Sequence, residues 1–284
     1  MAGIQPELAR GVKTFFVVPD TSLVPEEFLE DFSMNGYETY FINDDQTCRL
    51  EWKIETLFNS FEHVILFFNI DRKIPGIEWT IFIKKIQDTY GMRATIGVTY
   101  LKKNADRSRA LERIFLYDIG IFGGCIQLEY NKNINFQILN AVLIANQANS
   151  QRKNLRAICG PLCKLDMIYK NNTCKGVLRD VSISHFSCVF PAGDPPFLPN
   201  VRIDDILLNL HGIRCKVSAV LCINRAMNGN LIHVFAFLDP NGNLGLETRT
   251  RQKVNKFVYS KLSTEMMEYL QNEFVCIANE RKNT

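Results

Sequence analysis

The 284 residues carry 33 Lys and Arg against 30 Asp and Glu, a formal net charge of +3, with 46% hydrophobic and 22% charged residues. This is the profile of a globular chain with material for two cores, and so small a positive balance excludes a general nucleic-acid binder. No apolar run reaches membrane-span length, which excludes membrane insertion, and the first residues lack the apolar stretch of a signal peptide. Nine cysteines scattered singly through apolar runs read as reduced core residues of a cytoplasmic protein.

In chain order, the first half alternates strand and helix. Residues 14–20 form an apolar run stopped by a Pro-Asp-Thr-Ser turn, which predicts a buried strand. Residues 24–37 predict a helix with Ser22 as N-cap candidate and Gly36 at its end. Four further pairs follow: strand 38–43 with helix 48–61, 63–71 with 77–91, 94–101 with 105–120, and 125–130 with 135–148. Five such repeats predict a parallel sheet covered on both faces, a flavodoxin-like (βα)5 domain over residues 1–148 with its functional edge at the strand C-termini.

At that edge, residues 14–148 resemble a response-regulator receiver. Asp71 precedes Pro75 in D-R-K-I-P-G, Asp20 ends the first strand, and Thr99 ends the fourth. The resemblance implies a phosphoacceptor at Asp71. Pro19, however, stands where a receiver keeps its first acidic residue, and Glu129 lies where it keeps a lysine, with Lys132 later. A hard cation wants several oxygen ligands, so the expected role is docking rather than phosphorylation. No metal site, catalytic residue or cofactor is expected elsewhere. Cys159 and Cys163 form C-x-x-x-C without a second ligand pair.

After a polar segment at 149–156, short strands replace the helical spacing. Residues 157–170 and 173–184 predict a hairpin across Asn171–Asn172, interrupted near its start by Gly160-Pro161. Strands at 185–191, 206–210, 213–227 and 230–239 follow, and six antiparallel strands predict a closed barrel over 157–284. The tail returns to helical spacing, with Phe257, Leu262, Met266 and Leu270 expected to face the barrel and Ser263 or Thr264 to cap a second helical piece.

The segment before the barrel carries R-x-x-x-R, Arg152 and Arg156, and D-x-S follows 24 residues later as Asp180 and Ser182. A second R-x-x-x-R, Arg109 and Arg113, sits on an ordinary helical face with no such barrel after it. The composite resembles the PilZ domain, the bacterial receptor module for cyclic di-GMP. The resemblance implies that Arg152 and Arg156 grip guanine or phosphate, with Lys153 an accessory cation. It implies that Asp180 accepts from guanine N–H groups and that Ser182 adds a polar contact. The family pattern is D-x-S-x-x-G, and this chain has His185 at the last position. Glycine there would permit a positive φ or a close backbone approach; a histidine ring could itself stack on a base.

The expectation is therefore a non-enzymatic second-messenger receptor, a cyclic di-GMP effector in which ligand gathers the linker arginines 149–156 onto the barrel. That would reorient the two domains toward a protein partner, by family analogy in motility, envelope or virulence machinery. Two alternatives stay open, a ligand-independent PilZ-fold scaffold or adaptor and a regulator phosphorylated at Asp71.

Overall fold

The computed structural model describes residues 12–45, 48–148, 153–193, 195–227 and 229–282. The chain divides into two compact units, Met1–Lys153 with Glu265–Thr284, and Asn154–Thr264.

In the first unit the order is β1 (Lys13–Val17), α1 (Glu27–Met34), β2 (Glu38–Ile42), α2 (Leu50–Ser60), β3 (Val64–Asn69), α3 (Trp79–Tyr90), β4 (Ala94–Leu101), α4 (Ala105–Glu112), β5 (Gly124–Leu128) and α5 (Lys132–Ala145). A π-helical segment, Arg113–Ile119, continues α4 and stops at Gly120, whose φ of 78° a residue with a Cβ adopts only at a cost. All strands pair in parallel in the order β2-β1-β3-β4-β5, the flavodoxin-like arrangement. β1 and β3 are buried along their whole lengths, which is why their sequences are continuous apolar runs rather than alternations. The one charge inside this stretch, Lys13, is paired across the β1–β2 ladder with Glu38.

Ser22 does not cap α1. Its N–H and hydroxyl both donate to Asp20 Oδ1, at 2.9 and 2.6 Å, forming a tight polar turn ahead of the helix. The helix itself starts at Glu27 without a side-chain cap.

The second unit holds β6 (Arg156–Ile158), β7 (Lys164–Tyr169), β8 (Asn172–Ser182), β9 (His185–Val189), β10 (Arg202–Leu210), β11 (Ile213–Met227) and β12 (Asn230–Leu238). Antiparallel ladders run β8-β7-β10-β11-β12-β9 and return from β9 to β8, so six strands close a barrel. Its core includes Leu165, Leu178, Val181, Phe186, Phe235 and Phe237, with Phe186 stacked on Phe235 at 5.1 Å. The β7–β8 turn lies one residue ahead of the Asn171–Asn172 step that the sequence suggested. Tyr169 pairs with Asn172, and the two residues between them, Lys170 and Asn171, both take positive φ (49° and 64°), as a two-residue hairpin requires.

The first arm of that hairpin is in two pieces. β6 is a short strand of its own, and the Gly160–Cys163 turn separates it from β7. Asp180 pairs with both Ile158 of β6 and Ser187 of β9, and Val177 with both Lys164 of β7 and Val189 of β9. β6 and β7 therefore share one edge of β8, opposite β9.

A single helix, α6 (Thr248–Lys282), follows the barrel. No break occurs at Ser263 or Thr264; the Thr264 hydroxyl bonds back to the Ser260 carbonyl at 2.9 Å, a pattern compatible with helix interiors. Phe257 and Leu262 pack in the barrel core as expected, whereas Met266 and Leu270 belong to the core of the first unit. The helix from Glu265 onward thus groups with the first unit, although the sequence pattern placed all of 157–284 in one domain. No helix among the described residues is long and apolar enough to cross a membrane.

Candidate ligand-binding face of the barrel

Alternation along β8 points Cys174, Gly176 and Leu178 inward, and would carry Asp180 inward next. It does not, because the β8–β9 register shifts between Leu178 and Asp180: Leu178 faces Cys188 and Asp180 faces Ser187, leaving Arg179 as the extra residue. A bulge of this kind re-aims the side chains beyond it. Val181 then enters the core fully buried, and Asp180 and Ser182 share the outer face. Cross-strand partners share a face, so Arg156 (opposite Ser182) and Ser187 (opposite Asp180) join them there.

The geometry on this face is specific. Arg156 Nη1 lies 3.3 Å from Asp180 Oδ1, with the two side chains 37% and 24% exposed. The Ser187 hydroxyl donates to Asp180 Oδ2 at 2.5 Å. Arg156 is held by its neighbours in sequence: Leu155 and Ala157 are buried in the barrel core on either side of it. Arg156 is therefore part of a strand already fixed to the barrel, rather than a linker residue.

Ser182 serves its own turn. Its hydroxyl oxygen accepts the N–H groups of Ser184 (3.3 Å) and His185 (3.1 Å), and its hydroxyl donates to the His185 carbonyl at 3.1 Å. It is 3% exposed. Ser184 continues the network, with Asn154 Nδ2 at 3.0 Å and His185 Nδ1 at 2.9 Å from its hydroxyl. His185 is not among the residues with positive φ, so the backbone at this position does not need glycine. Burial, with the Arg156 guanidinium beside it, holds the His185 imidazole below its ordinary pKa of 6.5.

Of the residues singled out from the sequence, the structure gathers Arg156, Asp180, Ser182 and His185 on one face. Lys153 is exposed and falls in the first unit; Arg152 lies outside the described residues. Sequence reasoning missed Ser184, Ser187 and Asn154. Alternation through 185–189 offered a signal for Ser187, but its pairing with Asp180 depends on the Arg179 bulge, which no residue pattern announces.

The receiver-like edge of the first unit is arranged differently. Asp71 Oδ2 accepts the Leu101 N–H at 2.7 Å, and Oδ1 is ion-paired with Arg107. Thr99 is buried, its hydroxyl 3.4 Å from the Phe68 carbonyl. Lys102 pairs with Glu129 at 2.6 Å. A cavity of about 610 Å³ is lined by Pro19, Asp20, Asp44, Asn69, Asp71 and Lys73 among others. Among the described residues no group of three or more His, Cys, Asp or Glu could hold a metal ion.

No family model matches the chain, and no curated protein matches it. Among solved structures it is similar to the PilZ domain with c-di-GMP of YcgR from Escherichia coli, at 16% identity and a TM-score of 0.36, over 43% of this chain and 98% of that one. It is similar to YcgR from Escherichia coli in complex with c-di-GMP, at 16% identity and a TM-score of 0.36, over 43% of this chain and 50% of that one. The K. pneumonia MrkH–c-di-GMP complex gives 10% identity and a TM-score of 0.36, over 42% of this chain and 55% of that one. The chain thus spans about half the length of the latter two, and the first of the three is a PilZ domain, the family its motif resembles.

Proposed function

We propose that the protein is a non-enzymatic receptor for cyclic di-GMP. The observation that carries this reading is the Arg156–Asp180 pair, held on the outer face of the barrel by a single 3.3 Å contact with the guanidinium more than a third exposed. Arg156 retains N–H donors for a guanine O6/N7 edge, for phosphate oxygens, or for stacking on a base. The Asp180 carboxylate, steadied by Ser187, can accept from the N1–H and N2–H₂ groups of guanine. Arg152 and Lys153, just ahead in sequence, would supply the remaining cations for two phosphates. Their engagement would tie that segment to the barrel and set the first unit's orientation toward a protein partner, to the extent that the ligand prefers the gathered state.

Isothermal titration with cyclic di-GMP tests the reading. Heat of binding from the wild type, lost in Arg156→Ala, is the expected result; no heat from the wild type overturns it. A ligand-independent scaffold is the second reading, and one observation favours it: the Ser182 hydroxyl is fully engaged inside its own turn. Phosphorylation at Asp71 is disfavoured because both carboxylate oxygens already have partners.

A further inference from the structure

The turn between β6 and β7 bears directly on the Arg179 bulge. The Cys159 N–H donates to the Arg179 carbonyl at 2.8 Å, and the Cys163 carbonyl accepts the Leu178 N–H at 3.0 Å. A third bond, Cys163 N–H to the Gly160 carbonyl at 3.0 Å, closes the turn. Cys159 and Cys163 therefore stand at the neck of a tight loop and hold consecutive residues of β8, Leu178 at the start of the register shift and Arg179 within it. The two thiols lie close enough to influence one another electrostatically, and neither is in a disulfide. Cys163 is 2% exposed and packs in the barrel core, with Cys159 partly buried against it. The Cys159 thiol also feels the charge of Asp180, which puts it within electrostatic reach of the candidate ligand face.

We propose that Cys159 and Cys163 are a redox modification site, in which a peroxide closes them into a disulfide that disturbs the Arg179 bulge and weakens ligand binding at Asp180. In the first step one thiolate sulfur attacks a peroxide oxygen, the O–O bond breaks, and a sulfenic acid forms as water leaves. The second thiol then attacks that sulfur, the S–OH bond breaks, and a second water leaves. The two cysteines lose two electrons and two protons in all, and hydrogen peroxide is reduced to two waters. Closure brings the sulfurs to about 2.05 Å and fixes the torsion about the S–S bond. The Cys159 and Cys163 peptide groups must then shift, and the bonds they make to Arg179 and Leu178 shift with them. Burial pushes the Cys159 thiol up, as does its cysteine neighbour, so closure is slow compared with reaction at the exposed Cys222.

The effect on affinity rests on the receptor reading above, whereas formation of the disulfide does not, and the experiment separates the two. Full-length Cys222→Ser protein is treated with hydrogen peroxide, its remaining thiols are alkylated, and it is digested with trypsin. Cleavage after Arg156 and Lys164 releases residues 157–164, which contain both cysteines. The expected product is this peptide unalkylated and lighter by two hydrogens. In parallel, cyclic di-GMP is titrated into reduced, oxidised and re-reduced protein, with about tenfold weaker binding expected after oxidation and recovery after reduction. Re-reduction serves as the control that no folding defect in a variant can imitate. A peptide alkylated at both cysteines overturns the proposal whatever the titration shows, and so does a disulfide that leaves affinity unchanged. If reduced protein gives no heat at all, the receptor reading fails and the affinity claim fails with it, while the peptide still decides whether the disulfide forms.

Discussion

Two Asp–Arg pairs mark the two units, and they are built to opposite ends. At the edge of the parallel sheet, Asp71 is held through both oxygens, by Arg107 and by the Leu101 N–H. Arg107 in turn donates to the Leu101 carbonyl at 2.9 Å and lies over the Tyr100 ring at 5.3 Å, while its own N–H is capped by Asn104 at 2.8 Å. Every group there is engaged locally. On the barrel, Arg156 meets Asp180 through one 3.3 Å contact on an open face. The same two residue types thus pin a loop in one unit and stand ready to exchange partners in the other. What separates them is the number of additional fixed contacts around each guanidinium.

The most severe way to break the comparison is to put a charge at the position that the bulge turns inward. Val181 follows Asp180 into a fully buried core site, and Val181→Asp places a carboxylate there beside Phe186, its partner across the β8–β9 ladder. Burying that charge without a partner costs several kcal/mol, about 3 or more, enough to abolish cooperative folding of the barrel. Thermal denaturation followed by circular dichroism checks this, and a variant that melts like the wild type would show that position 181 does not face the core. Next in size is Arg156→Ala, which leaves the melt nearly unchanged and weakens cyclic di-GMP binding at least about 100-fold, roughly 2.7 kcal/mol. Arg107→Ala is its mirror image. It lowers stability by about 1–2 kcal/mol because it leaves the Asp71 loop untied, and it leaves ligand affinity as it was. If Arg107→Ala impaired binding instead, the division of labour between the two pairs would be wrong.

How much of this could be read from residues alone differs between the units for a physical reason. Each strand of a parallel sheet covered on both faces is a solid apolar run followed by an amphipathic helix, so β4 over Ala94–Leu101 appears in the sequence with its boundaries intact. The barrel is legible through its alternation in β11 and, to within one residue, its β7–β8 turn, but alternation breaks where the sheet does. The Arg179 bulge and the division of β6 from β7 are register events, set by which backbone groups meet across strands rather than by side-chain type. The same is true of Arg156. R-x-x-x-R looks like a linker motif until the burial of Leu155 and Ala157 makes its second arginine part of a strand. His185 shows the limit from the other direction. The family pattern has glycine there, yet the backbone of this chain is unstrained with histidine in place.

His185→Gly accordingly has a smaller effect than the motif suggests. The substitution removes a ring and gives the backbone no conformation that it needed, so cyclic di-GMP affinity changes by less than about tenfold. The expected direction is tighter, because the imidazole next to Arg156 no longer crowds the face. Titration of both proteins measures it, and a wild type silent beside a glycine variant that binds would mean that the ring closes the site.

The smallest effect reads the electrostatics of the same face. Burial lowers the pKa of both His63 and His185 below the ordinary 6.5, but only His185 has an arginine charge as a second cause. For each, the unfolded chain takes up its proton first as pH falls, so the unfolded state binds more protons and stability declines from about pH 7 downward. The decline stops below the folded pKa, where both states are protonated. Removing the guanidinium in Arg156→Ala should raise the His185 pKa toward the ordinary value and shrink its share of that decline, while the pKa of His63 stays where it was. NMR titration of the imidazole signals, four in this chain, resolves the two residues directly. An unmoved His185 in the variant would mean that the Arg156 charge is screened from the face, and an arginine so screened would have little hold on an anionic ligand.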